Sequence, residues 1–140
     1  ANSDQVIVWD SFLIMSLLAH WDVVALFKAN ESKWSFSKIE EGFITEIAEK
    51  KVISDNANVG IYGWSKGSDY VRYAEQMIDK GIKTNNEYYI APVYNEAILD
   101  GKIIVPYFVD EMHGIGTPED LERYLNEKNF TISFIAFFKL

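Results

Sequence analysis

Val23-Val24-Ala25-Leu26-Phe27, flanked by Asp22 and Lys28, is a short apolar run rich in β-branched residues. A run of this kind is the form taken by a strand covered on both faces, so whatever this chain folds into must place layers on either side of a sheet. Just before it, Asp10-Ser11 can cap a helix that continues through the apolar stretch to Ala19, because either side chain can accept from the free amides of the first turn. The apolar character of that helix predicts burial on most sides, and a helix feeding such a strand predicts a parallel crossover.

The remaining elements follow from periodicity and punctuation. Between Trp34 and Lys50 apolar and polar residues alternate around Glu41-Gly42, which predicts a hairpin with one solvated face. Residues 58–64 read as a further strand with two glycines, Gly60 and Gly63. Ser68 can cap a helix carrying Tyr70, Val71, Ala74, Met77 and Ile78 at helical spacing, and Gly81 stops it. Glu87–Leu99 predicts a helix broken or started near Pro92, and Lys102–Val109 a strand that tolerates Pro106. Thr117-Pro118-Glu119-Asp120 combines a cap, a proline at the first helical position and acids at the positive helix end, for a helix to about Lys128. The apolar tail from Phe130 to Leu140 is expected to pack as a strand or helix. Together these predict one α/β domain over residues 1–140, with a mostly parallel sheet, helices and an inserted β-hairpin.

Composition narrows the partners. In 140 residues, a hydrophobic content of 49% is enough for one sizeable core. The formal charge of −8 repels a phosphate backbone, and no local basic cluster offsets it, so nucleic acid is not expected as a partner. No apolar stretch has membrane-spanning length, and the absence of cysteine fits a reducing compartment, which favours the cytoplasm. The sequence opens on Ala1 with no leader pattern before the folded-looking region, and reads as a cut start.

Four segments carry the chemistry: Ala1-Asn2-Ser3-Asp4-Gln5, Glu46-Ile47-Ala48-Glu49-Lys50-Lys51, Val59-Gly60-Ile61-Tyr62, and Gly114-Ile115-Gly116-Thr117-Pro118-Glu119-Asp120-Leu121. Lys33-Trp34-Ser35, Ile53-Ser54-Asp55 and Asn86-Glu87-Tyr88-Tyr89 accompany them. In order and spacing this set resembles the C-terminal, sugar-binding part of the sugar nucleotidyltransferases, also called nucleotide-sugar pyrophosphorylases. Those enzymes join a nucleoside triphosphate to a sugar 1-phosphate, release pyrophosphate and use Mg²⁺.

The resemblance implies a partial nucleotide-diphospho-sugar transferase fold, and roles for particular residues. Asp4 would contact the metal after a strand end, or else cap a turn. Glu49 would accept sugar hydroxyls and Lys50 would approach the sugar phosphate, or the pair belongs to a solvated charge run. Gly60 would let a sugar approach the strand backbone, or it kinks the strand. Asn86 and Glu87 would add a further sugar-contacting segment, or start a helix. Gly114 stands where many members carry a second metal-binding Asp, which weakens the Mg²⁺ expectation. His113 beside it has no paired acid or serine in sequence to form a catalytic constellation. The glycine-rich, basic loop that wraps a triphosphate in that family is not found in this sequence.

The resulting expectation is an incomplete nucleotidyltransferase, inactive by itself, whose complete form makes a nucleotide-sugar for surface polysaccharide. The alternatives are a non-catalytic sugar-phosphate- or protein-binding module of the same fold, and, less well supported, a glycosyltransferase. A sugar phosphate or nucleotide-sugar is the expected ligand. An apolar face left open by a partial sheet predicts a two-fold homodimer, unless the tail folds back over it.

Overall fold

The computed structural model describes residues 2–137, with side chains through residue 128. A five-stranded sheet of order β4-β3-β5-β2-β6 forms the centre. Its strands are β2 (Asp22–Lys28), β3 (Phe36–Glu40), β4 (Phe43–Ala48), β5 (Asn56–Gly63) and β6 (Ile104–Phe108). A separate ribbon pairs β1 (Gln5–Val8) with β7 (Glu111–Gly114) in antiparallel register. The helices are α1 (Ser11–Leu18), α2 (Gly67–Asp79), α3 (Val93–Leu99) and α4 (Pro118–Phe137).

The apolar run of β2 behaves as its composition demands. Val24 and Leu26 pack on one side with Tyr73 and Met77 of α2 and Tyr94 and Ala97 of α3. Val23 and Ala25 pack on the other with Ile14 of α1, Val59 and Tyr107. The α/β class holds, but the sheet is mixed: only β2 and β6 run parallel, whereas β2–β5, β3–β5 and β3–β4 are antiparallel. The predicted crossover through α1 is not formed, because β1 joins the small ribbon and β2 the large sheet.

Three helix expectations change. Asp10 does cap α1, accepting from the amides of Phe12 and Leu13, yet only Ile14 of this helix is buried. Phe12 is 89% exposed and Met15 65%, so the helix lies on the sheet by a narrow stripe and presents apolar side chains outward. In α2, Lys66 rather than Ser68 occupies the cap position, without a side-chain hydrogen bond. Its core face turns on Tyr73 and Met77, leaving Val71 and Ile78 exposed. Gly81 ends it at φ +66°, with the Ile82 amide bonded back to the Met77 carbonyl. Finally, α4 starts at Pro118 with Thr117 Oγ1 accepting from the Asp120 amide, and its backbone continues to Phe137. How the apolar tail packs, and hence the fold-back over an open face, lies outside the described residues.

Two devices shape the sheet around its open end. The β3–β4 turn places Glu41 at φ 51° and Gly42 at φ 87°, the two left-handed residues of a tight hairpin turn. β5 bulges where Gly60 adopts φ +88°, opposite the register shift between Val24 and Leu26. Beyond this point β5 keeps its ladder to β2, but β3 is paired with it only at Phe36 and Ala57.

Candidate functional site

A cavity of about 430 Å³ opens where β5 bulges away from β3. Its walls come from the entry to β3 (Lys33, Trp34, Ser35), the exit of β4 (Glu49), the middle of β5 (Asn58, Gly60, Tyr62), residues 88–91 and Asn2. A second cavity of about 570 Å³ adjoins it, sharing Asn2, Lys33 and Trp34, and reaches Asp4, Gly116, Asp120 and Arg123. Both volumes are of the size that small-molecule sites occupy.

Glu49 is half-buried on the first cavity's wall, and its Oε2 accepts a hydrogen bond from the Ser35 hydroxyl. Behind it, Ser37 Oγ donates to Asn58 Oδ1 at 2.6 Å. Burial pushes the Tyr62 phenol above its ordinary range, while nearby Ser35 and Asn58 pull the other way. Even so, Asn58 Nδ2 makes no hydrogen bond of normal geometry with any described group. Gly60 kinks the strand at φ +88°, and the close approach that its missing Cβ permits is made by Asn2, whose Nδ2 would lie 2.8 Å from a Cβ there.

Lys50, Asn86 and Glu87 stand beside the first cavity rather than in its wall. Lys50 Nζ donates to the Tyr89 hydroxyl at 2.6 Å, and that hydroxyl donates to Glu87 Oε2 at 2.6 Å. The Tyr89 hydrogen bond is the main reason the Lys50 ammonium is held above its ordinary pKa. Asn85 and Asn86 both have positive φ and form a two-residue turn closed by reciprocal backbone bonds between Thr84 and Glu87. Glu87 therefore precedes no helix directly; α3 begins at Val93.

Asp4 lies on the second cavity, and precedes β1 rather than following a described strand. Its carbonyl accepts from the Ile115 amide at 2.8 Å, and Gly116 leaves room for its carboxylate, since a Cβ there would sit 2.7 Å from Oδ2. As a Mg²⁺ site this donor set falls short. Asp4 brings one carboxylate, Gly114 none, and among the described residues no group of three His, Cys, Asp or Glu side chains is placed to hold a metal. His113 faces away, between Glu111 at 3.0 Å and Glu127 at 3.6 Å.

Sequence reasoning assigned no individual role to Ser35, Asn58, Tyr62 and Tyr89. For Ser35 the signal is register: Phe36 pairs with Ala48, so the next step of the same ladder sets Ser35 opposite Glu49.

No protein-family model matches the chain, and comparison with curated proteins likewise gives no significant match. Solved structures do match. The nucleoside-diphosphate-sugar pyrophosphorylase of Vibrio cholerae RC9 aligns with a TM-score of 0.74 and 25% identity, over 88% of this chain and 53% of that one. A UDP-glucose pyrophosphorylase complexed with UDP-glucose gives 0.71 and 19%, over 91% and 54%. A Bacillus anthracis protein assigned as a glucose-1-phosphate thymidylyltransferase, in complex with a sucrose, gives 0.62 and 21%, over 86% and 49%. The chain shares the fold of the nucleotide-sugar pyrophosphorylases and spans about half the length of these structures.

Proposed function

We propose that the first cavity binds a sugar phosphate, free or as part of a nucleotide-sugar, and that the chain contributes this portion of a nucleotidyl-transfer site. In the complete reaction a sugar 1-phosphate oxygen bonds to the α-phosphorus of a nucleoside triphosphate as the bond to pyrophosphate breaks. The observation that carries the reading is Glu49, a carboxylate held by Ser35 in the wall of a cavity that Asn58 and Tyr62 also line. A carboxylate so placed accepts from sugar hydroxyls. The UDP-glucose and sucrose named with two structures of this fold support a carbohydrate ligand. Lys50, fixed by Tyr89 at the rim, supplies positive charge towards a phosphate. Mg²⁺ enters only with a phosphate-bearing ligand, whose oxygens would add to the single Asp4 carboxylate.

By itself the chain is a binding unit. The second reading, a non-catalytic module of the same fold, is favoured by the placement of the glycine pair Gly60/Gly63, which precedes Lys66 and α2 but lies within β5 rather than in a loop of the kind that wraps a triphosphate. We further propose a cytoplasmic location, supported by the cysteine-free sequence, and a two-fold homodimer through the apolar outer side of α1.

The expected outcome of incubating the chain with nucleoside triphosphates, glucose 1-phosphate and Mg²⁺ is no pyrophosphate above background. Pyrophosphate release that disappears in Asp4→Ala contradicts the binding-unit reading and establishes a catalyst.

A further inference from the structure

Ser35 immediately precedes β3, and its carbonyl accepts from the Asn58 amide at 2.8 Å, which ties its backbone to β5. It is 8% exposed, its hydroxyl donates to Glu49 Oε2, and Tyr62 lines the same cavity. Glu49 reaches this contact because Ser35 and Glu49 occupy the ladder step beyond Phe36 and Ala48, where side chains share one face. A glutamate just past a strand end otherwise has three side-chain torsions to distribute, and each order of magnitude of that freedom is lost from binding when a ligand must fix it.

Resting on the reading that this cavity takes a sugar phosphate, we propose that Ser35 is a positioning residue that fixes the Glu49 carboxylate so that it selects for one hydroxyl of the sugar. The hydroxyl removes the rotation of the carboxylate before the ligand arrives. Because an ionised carboxylate only accepts, the fixed oxygen rewards a donor at one place on the ring and gives nothing to an analogue that lacks it. A serine that merely filled space would affect all analogues alike.

The test is calorimetric titration of glucose 1-phosphate and its monodeoxy analogues into the 140-residue chain, Ser35→Ala, Glu49→Gln and the double variant. The parent should bind one deoxy analogue roughly tenfold more weakly than glucose 1-phosphate, a difference of about 1.4 kcal/mol. Ser35→Ala should narrow that ratio to about threefold or less without changing the affinity for the deoxy analogue, and the double variant should bind no more weakly than Glu49→Gln. Thermal unfolding of each variant separates a folding defect from a binding one. Equal loss for every analogue in Ser35→Ala, or additive losses in the double variant, overturns the positioning role while leaving the sugar-phosphate reading intact. No binding of any of these compounds by the folded parent overturns both.

Discussion

Glu41 carries a residue-level backbone cost, as does Lys50 at φ 53°. Glu41 occupies a left-handed conformation with φ 51° in the β3–β4 turn, where glycine and asparagine are the residues that fit without strain. A Cβ there costs of order 1 kcal/mol, and asparagine relieves part of it. Glu41→Asn is therefore expected to raise the stability by about 0.5–1 kcal/mol, read as a higher denaturant midpoint at unchanged slope. An unchanged or lower midpoint would show that the turn is not strained. At the same scale, the resemblance groups Glu49, Lys50, Gly60, Asn86 and Glu87 as sugar-contacting residues, and the structure sets Glu49 and Gly60 in one cavity wall with Lys50, Asn86 and Glu87 beside it. Nothing in the order of residues discloses that Lys50 and Glu87 share the Tyr89 phenol.

At the level of elements, what the sequence displays is periodicity, and what it hides is pairing. β2, β5, the hairpin and α2 stand close to where their patterns put them, since alternation and turn residues are local properties. The four-residue strands β1 and β7 have no such pattern and exist through each other. The facing of Ser35 and Glu49 illustrates the limit. Counting back from the turn, Glu40 opposes Phe43 and Ile39 opposes Ile44, a register that would set Ser35 against Ala48. A bulge between Lys38 and Ile39 shifts the ladder by one residue, and because a one-residue slip exchanges faces, it is this irregularity that brings Glu49 to the serine. Asn95 of α3 then secures the far end of β4: its Oδ1 accepts from the Ile47 amide at 2.8 Å and its Nδ2 donates to the Ile47 carbonyl at 2.7 Å. The edge strand that leads into Glu49 is thus held by a side chain that imitates a neighbouring strand. The outward face of α1 was misread for a related reason: an apolar run specifies that something should cover it, without specifying that this chain does so.

For the whole molecule, that face carries the prediction of association. Phe12, Leu13 and Met15 are exposed on α1, with Val8, Trp9 and Trp21 around its ends, while the only charges between Val8 and Leu18 belong to Asp10. A two-fold contact through α1 covers the same apolar strip on both copies. Light scattering across a concentration series should show a dimer that Phe12→Glu converts to a folded monomer, with the unchanged circular dichroism of its helices and sheet as the check on folding. A parent that is monomeric at every concentration rejects the dimer.

Occupation of the cavity between β3, β4 and β5 by a sugar phosphate is the central proposal. Isothermal titration of glucose 1-phosphate into the chain and into Glu49→Gln addresses this most directly, because glutamine keeps the shape of the side chain and removes its charge. Saturable binding by the parent that weakens about tenfold or more in Glu49→Gln is the predicted result, corresponding to at least about 1.4 kcal/mol for a charge-assisted hydrogen bond. Equal affinity in the two proteins, or heat of dilution alone from both, contradicts it.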